Sequence, residues 1–389
     1  MTGPRPAAPS RSGGGARRGV REVLGGIAEA TPAGRDRGVD ALRAAAILGV
    51  VLGHWLVSAF RPAAGGGHLT DSPLAHMPEL SPVSWALQTL AVFFFVGGYV
   101  ATRGVRGVRA AVPYRDWVAA RWSRLTRPVV PLLAAWGALL AAMAYAGVPA
   151  TTMRAMAMTG LGPLWFVAVY VLVTVCTPML IRAPRGVVAA SMAGVVLVSD
   201  VARFGAGGPA WAGAVNVVAG WLVPYALGSD LARGGLGGRR AAWGLFLGGA
   251  AVTGALITWF GYPASMVGVT GARVSNLDPP SLAAVAFGSA QAGLALLLRE
   301  PLARLMRRPR LWGAVALANL AAMPVFLWHQ SVLVLAVLVT LPGAPLPGLH
   351  AAPDSPDWIA ARLALLPVFA LGLAAVAAVS LRRTARPFL

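Results

Sequence analysis

The sequence contains no lysine; its 33 basic residues are all arginine. Acidic residues are scarce too, 13 in 389, so charged residues make up only 12% of the chain. Soluble domains carry about 25%. A chain this poor in charge has too little polar surface to cover a water-soluble globule of its length. Cys176 is the only cysteine, which excludes an intramolecular disulfide and a cysteine-built metal cluster. There is no GxSxG nucleophile elbow, no Walker loop and no dinucleotide-binding glycine fingerprint. No short apolar core with a cleavage site follows the first arginines, so the N-terminus does not read as a secretory signal peptide.

Hydrophobic residues, at 57% of the chain, are abundant. A net charge of +20 would suit nucleic acid in a soluble protein. Here the arginines fall in short clusters between long apolar runs, with no aromatic-interleaved basic patch, so no nucleic-acid partner is expected. The pattern is that of a polytopic membrane protein with positive charge kept on the inner side. The lysine-free, Ala/Gly/Arg-rich composition suggests a GC-rich bacterial genome, hence a bacterial plasma membrane.

The expected fold is all-α, with ten membrane helices at about 41–60, 83–102, 128–147, 163–181, 186–202, 211–230, 242–260, 282–299, 313–341 and 358–380. Each is near the roughly 20 residues that cross about 30 Å of hydrocarbon. Pro324 predicts that the ninth is kinked or split. Residues 1–37, rich in Gly, Pro and Arg, read as a disordered basic arm preceding one membrane domain, 38–389. With the N-terminus in the cytoplasm, only Arg61, Arg154, Arg203, Arg273 and Arg362 fall outside, which places both termini in the cytoplasm. Two outer loops are long, 61–82 and 261–281, and no internal repeat is evident.

The first helix, DALRAAAILGVVLGHWLVSAF, carries Arg43 at its cytoplasmic end and His54 well inside. Eleven residues at about 100° each come within about 20° of three full turns, with a rise of about 16 Å. Arg43 and His54 therefore share a face. Such groups either mark a site or serve as a snorkelling anchor and a hydrogen-bonded packing residue. Gly49 and Gly53 on the same helix read as a close-packing pair. In YRDWVAARWSRLTRPVVP, Arg121, Arg124 and Arg127 recur every third residue, after Arg103, Arg106 and Arg109. Positive-inside bias accounts for cytoplasmic arginines; guanidinium forks also suit a ligand with several phosphates, such as coenzyme A.

Four stretches together resemble the acyltransferase-3 family of bacterial membrane O-acyltransferases. VDALRAAAILGVVLGH matches its Arg-x10-His first helix. FFFVGGY at 93–99, followed by RWSRLTRPVVPLL, matches a "FFxxSGF" element and the basic segment after it. PLWFVAVYVLVTVCTP at 163–178 and VFLWHQS at 325–331 match the later elements. Gly97 departs from the family, which usually has serine there.

The resemblance implies acyl transfer from cytoplasmic acyl-CoA, acetyl-CoA above all, to a hydroxyl of a glycan, lipid or glycosylated metabolite. By position it makes His54 the catalytic residue, with Arg43 contacting the donor and Arg121, Arg124 and Arg127 holding the CoA phosphates. A neutral imidazole suits removal of a hydroxyl proton. Tyr99, Trp165 and Tyr170 are candidates for binding substrate near the thioester, by motif membership. His329 either binds the acceptor, orients His54 or makes an interhelical hydrogen bond. Asn276 and Asp278 either meet a sugar or make a turn. His68, Asp71, His76 and Glu79 are too irregularly spaced for a metal set, and no metal is expected. A transporter of a small molecule or lipid-linked sugar is the alternative function.

Overall fold

The computed structural model describes residues 26, 31–32, 34–108, 112–205, 207–272 and 274–385. The arm expected at 1–37 lies almost wholly outside these residues, as do Arg109, Arg273 and Arg386. Ten helical segments are long and apolar enough to cross a membrane: Arg37–Val57, Pro78–Gly107, Tyr114–Tyr145, Ala150–Val175, Val187–Phe204, Trp211–Ala232, Arg239–Trp259, Leu282–Leu305, Ala322–Thr340 and Pro356–Arg382. Each overlaps one of the spans expected from the sequence.

Helix α1 (Arg37–Val57) starts where the Asp36 carboxylate accepts the Val39 N–H as an N-cap. Val39, Leu42, Ala46 and Val50 recur at helical spacing and are buried, while Leu48 points outward. Gly49 and Gly53 meet a break at Gln88–Thr89 between the short helix Ser81–Leu87 and α2 (Leu90–Val108). A Cβ at position 49 would lie 2.4 Å from Thr89 Oγ1, so only glycine lets the two segments touch there.

Three boundaries differ from expectation, each at a proline or a helix cap. The basic stretch is itself helical, α3 (Tyr114–Thr126), and runs into Val129–Tyr145 after a short break at Arg127–Pro128. The fourth span begins at Ala150, not 163; it breaks at Gly162–Pro163, and α4 (Leu164–Val175) follows. The ninth run splits at Ala321 into Pro309–Leu320 and α5 (Ala322–Thr340). Proline lacks the N–H that would continue a helix but suits the first turn of the next, which is where Pro163 and Pro324 stand. The last helix is α6 (Pro356–Ala385). The loop after α1 is not wholly irregular: β1 (Ala59–Pro62) pairs antiparallel with β2 (His68–Asp71).

Spans two and six are 61% and 67% buried and form the centre; spans three and ten, at 17%, form the rim. Contacts define two ends. At one, Arg37 donates to Met306 O, Arg106 to Ala232 O and Arg233 to Ala183 O, and most arginine clusters gather there. At the other, the β-hairpin, Ala264, Gly348 and Thr152 meet through the bonds of Trp85, His68 and Arg362. Tyr145, Trp211, Trp259 and Phe260 stand exposed near this hairpin end, as in an interfacial aromatic belt.

Arg362, expected as an outer arginine, is fully buried at the hairpin end. It donates to Gly348 O and to Trp55 O in the last turn of α1. A cation is favoured at a helix C-terminus, so Arg362 clamps the end of α1 that carries His54.

Candidate active site

Two cavities flank α1, and Arg43 and His54 stand in different ones. The larger, about 1050 Å³, lies toward the arginine end. Its wall includes Arg35, Arg43, Arg124, Arg127, Met323 and Trp328. Arg35 pairs with Asp40 at 2.6 Å. Among the described residues, no carboxylate lies within 4.0 Å of Arg43, Arg124 or Arg127. Three of the four arginines in this wall thus have no acidic partner among the described residues, an arrangement whose charge is complementary to an anion.

The smaller cavity, about 310 Å³, lies toward the hairpin end and is lined by His54, Ser58, Gln330, Trp165, Phe166 and Phe326 among others. The Gln330 amide nitrogen lies 3.0 Å from His54 Nδ1 and 2.8 Å from Ser58 Oγ. Behind His54 sits His329, fully buried, with ring centroids 5.0 Å apart in an edge-on arrangement. His329 Nδ1 donates to Phe326 O at 2.7 Å, and Trp55 Nε1 donates to His329 O at 2.9 Å. The last turn of α1 is thus bound to α5 on one side and, through Arg362, to α6 on the other.

Aromatic rings separate the cavities. The Arg43 guanidinium lies 5.9 Å over Phe93, Phe93 packs on Phe166 at 5.2 Å, and Phe166 packs on Phe326 at 4.5 Å. Tyr170 stacks on Phe166 at 5.5 Å. Ala322 and Met323 face the large chamber, and Phe326, one turn on, faces the small one.

A family model described as an acyltransferase domain, that of the acyltransferase-3 family, matches residues 36–381. The chain belongs to that family. Searches among curated proteins and among solved structures give no match. The molecule is therefore a multi-pass membrane protein of an acyltransferase family.

In this family member the residues singled out from sequence separate into groups. Arg43, Arg124 and Arg127 come together in the large chamber. Arg121 does not line it; its guanidinium stacks over Trp117 at 5.4 Å and reaches toward Gly104 of α2. His54 and Trp165 line the small cavity, with Trp165 44% exposed. His329 lies behind His54 rather than in the cavity wall. Tyr170 belongs to the aromatic partition. Tyr99 is not brought to His54: its hydroxyl donates to Asp36 at the arginine end and accepts from Arg103. Motif membership alone suggested Tyr99 as a substrate contact, and helix α2 carries its hydroxyl to the arginine end.

The departure at Gly97 has a physical counterpart. A Cβ there would lie 2.6 Å from the Tyr170 ring and 2.8 Å from its hydroxyl oxygen. Tyr170 fills the space that a serine side chain would take. Asn276 donates to Pro263 O and Ser265 O and accepts from Ser281, so it holds the loop and faces no cavity. Asp71 takes Arg61 at 3.2 Å and His76 at 3.0 Å.

Sequence reasoning missed Gln330, Ser58 and Arg35. Gln330 stood in the quoted VFLWHQS, beside the histidine that drew attention. An amide inside an apolar membrane run is a signal of the same kind, because its donors and acceptor must find partners there.

Proposed function

We propose that this protein is an O-acyltransferase that carries an acyl group, acetyl first, from cytoplasmic acyl-CoA to an acceptor hydroxyl. In this reading the arginine end faces the cytoplasm of a bacterial plasma membrane, and both termini lie there. The observation that carries it is the pair of cavities along one helix face: an anion-suited chamber at Arg43 and a histidine-bearing cavity at His54, about 16 Å farther along α1. An extended pantetheine arm bridges such a gap. The CoA phosphates would meet Arg43, Arg124 and Arg127 while the thioester reaches past Phe93 and Phe166.

His54 is the general base. An unperturbed imidazole is mostly neutral at pH 7. Its Nε2 takes the acceptor proton as the hydroxyl oxygen attacks the thioester carbon. The C–O bond forms, the C–S bond breaks, and the proton passes on to the departing CoA sulfur. This requires the tautomer protonated on Nδ1. With its amide nitrogen facing Nδ1, Gln330 favours the opposite tautomer, and its Oε1 is left buried without a partner. Half a turn of the amide group exchanges nitrogen and oxygen at nearly constant shape. The carbonyl then accepts from both Nδ1–H and Ser58 O–H, and Nε2 is free to act. Gln330 is thus a positioning residue that sets which His54 nitrogen carries the proton.

The test is acyl transfer in membrane vesicles supplied with radiolabelled acetyl-CoA on the arginine side. Covalent label appearing on a lipid, glycan or small-molecule hydroxyl supports the reading. Movement of a solute with no covalent change would favour the transporter alternative and overturn it.

A further inference from the structure

The cavity at His54 carries no acidic, arginine or lysine side chain and is mostly apolar. Two of its polar residues are already committed: the Thr89 hydroxyl donates to Ala46 O and the Thr159 hydroxyl to Ala155 O. The polar groups left to meet a ligand are His54, Ser58 and Gln330, which bond to each other, and Gln88, whose side-chain Oε1 is buried without a partner. Much of the rest is apolar: Val50, Leu90, Met158, Val267, Leu277 and the rings of Phe166 and Phe326. Trp165 lends an exposed indole. A volume of about 310 Å³ is at the small end for ligand cavities, which run from about 300 to 1,000 Å³. It holds one ring and a short chain.

We infer that the acceptor is an uncharged alcohol carried on an apolar body, with its hydroxyl against His54 and its apolar part against the Met158, Val267 and Leu277 wall. The inference rests on the acyl-transfer reading of this cavity. An acceptor bearing a carboxylate or phosphate would bury its charge with no cationic partner, because the arginines lie beyond the aromatic partition. A bare sugar would leave the apolar wall uncovered.

The test uses the full chain in lipid nanodiscs and a diazirine-bearing octyl glucoside as photo-crosslinking probe. Label is expected on the segments containing Met158–Pro163 and Val267–Leu277. n-Octyl β-D-glucoside should compete at least tenfold better than n-octyl β-D-glucuronide or free glucose. Equal competition by the glucuronide, or label confined to other segments, overturns the inference. In Val267→Arg the preference should move toward the glucuronide, since a cation now lines the wall; an unmoved preference places the acceptor elsewhere. Crosslinking does not depend on chemistry. Wild-type protein that crosslinks as expected but never acylates the probe or any other alcohol from acetyl-CoA would leave the acceptor class standing and sink the acyl-transfer reading instead.

Discussion

The two cavities differ in nearly every respect although one helix serves both. The chamber at the arginine end is large and cationic; the cavity at the hairpin end has about a third of its volume and no fixed charge. On the proposed reading, the first receives a multiply charged, water-borne donor and the second a neutral acceptor with an apolar body. Between them stand Phe93, Phe166, Tyr170 and Phe326; in that reading only the uncharged acyl-bearing end of the donor crosses them. This proposed separation keeps the donor phosphates where cations neutralise them.

The comparison can be broken most severely at His54. His54→Ala should lower kcat about 10²- to 10⁴-fold, the usual contribution of a general base, and leave acyl-CoA binding intact. Equal kcat in purified wild type and variant would remove His54 from the chemistry. The opposite split belongs to the chamber: Arg43→Ala, and separately Arg124→Ala with Arg127→Ala, should raise KM for acyl-CoA roughly ten- to a hundredfold, in line with losing one charged hydrogen bond or more. The wild-type KM should also rise with salt, and a KM indifferent to salt would argue against phosphate contacts at these arginines.

Gln330 sharpens the contrast because it acts only through His54. Gln330→Leu should cut kcat about tenfold with KM for acyl-CoA unchanged, from loss of a buried partner worth about 1–3 kcal/mol. Gln330→Glu should keep more activity and move the acidic limb of the pH–rate profile upward, since a carboxylate stabilises imidazolium. A merely structural role would leave that limb in place. Phe326→Leu thins the partition and should improve butyryl- or hexanoyl-CoA relative to acetyl-CoA by a few-fold, an effect on the order of one buried methylene or two. An unchanged chain-length profile would place the acyl path away from Phe326.

The smallest effect is on stability at the hairpin end. Burial holds His68 below its ordinary pKa; burial, then the neighbouring His68, does the same to His350. Their rings lie 5.8 Å apart. A histidine depressed in the folded state binds fewer protons than in the unfolded state. Stability is therefore full above the unfolded value of about 6.5 and falls as pH drops below it. His68→Asn with His350→Gln should flatten the fall in melting temperature between pH 7 and pH 5. A slope identical to wild type would show that other groups carry it.

Much of the fold was legible because membrane solvation is a coarse constraint: a run of about 20 apolar residues has few fates other than a spanning helix. The errors came where one span is built from two helices that meet at a break. The stretch before Pro163 carries Arg154 and three threonines and is far less apolar than the stretch after it, so the expected span begins too late, and residues 313–341 form an apolar run with no charged residue to mark the break at Ala321. The site was legible along one helix and illegible between helices. Arg43 and His54 share a face by helix geometry alone. Tyr99, two residues from Gly97 in the same motif, lies at the wrong end because motif membership carries no depth. Gln330 was passed over because its partner is 276 residues away.

The sequence by itself determined the membrane class, the number of spans, the asymmetry of charge, the shared face of Arg43 and His54, and, through its motifs, the family. These follow from composition, periodicity and local spacing, which do not depend on what packs against what. Only the tertiary structure decided that Arg43 and His54 face different cavities, that four aromatic residues divide them, that Tyr170 takes the place left by Gly97, and that Gln330 touches the base. Each of those depends on contacts between segments far apart in the chain. Close packing settles them to within a fraction of an ångström, a scale that no local pattern encodes.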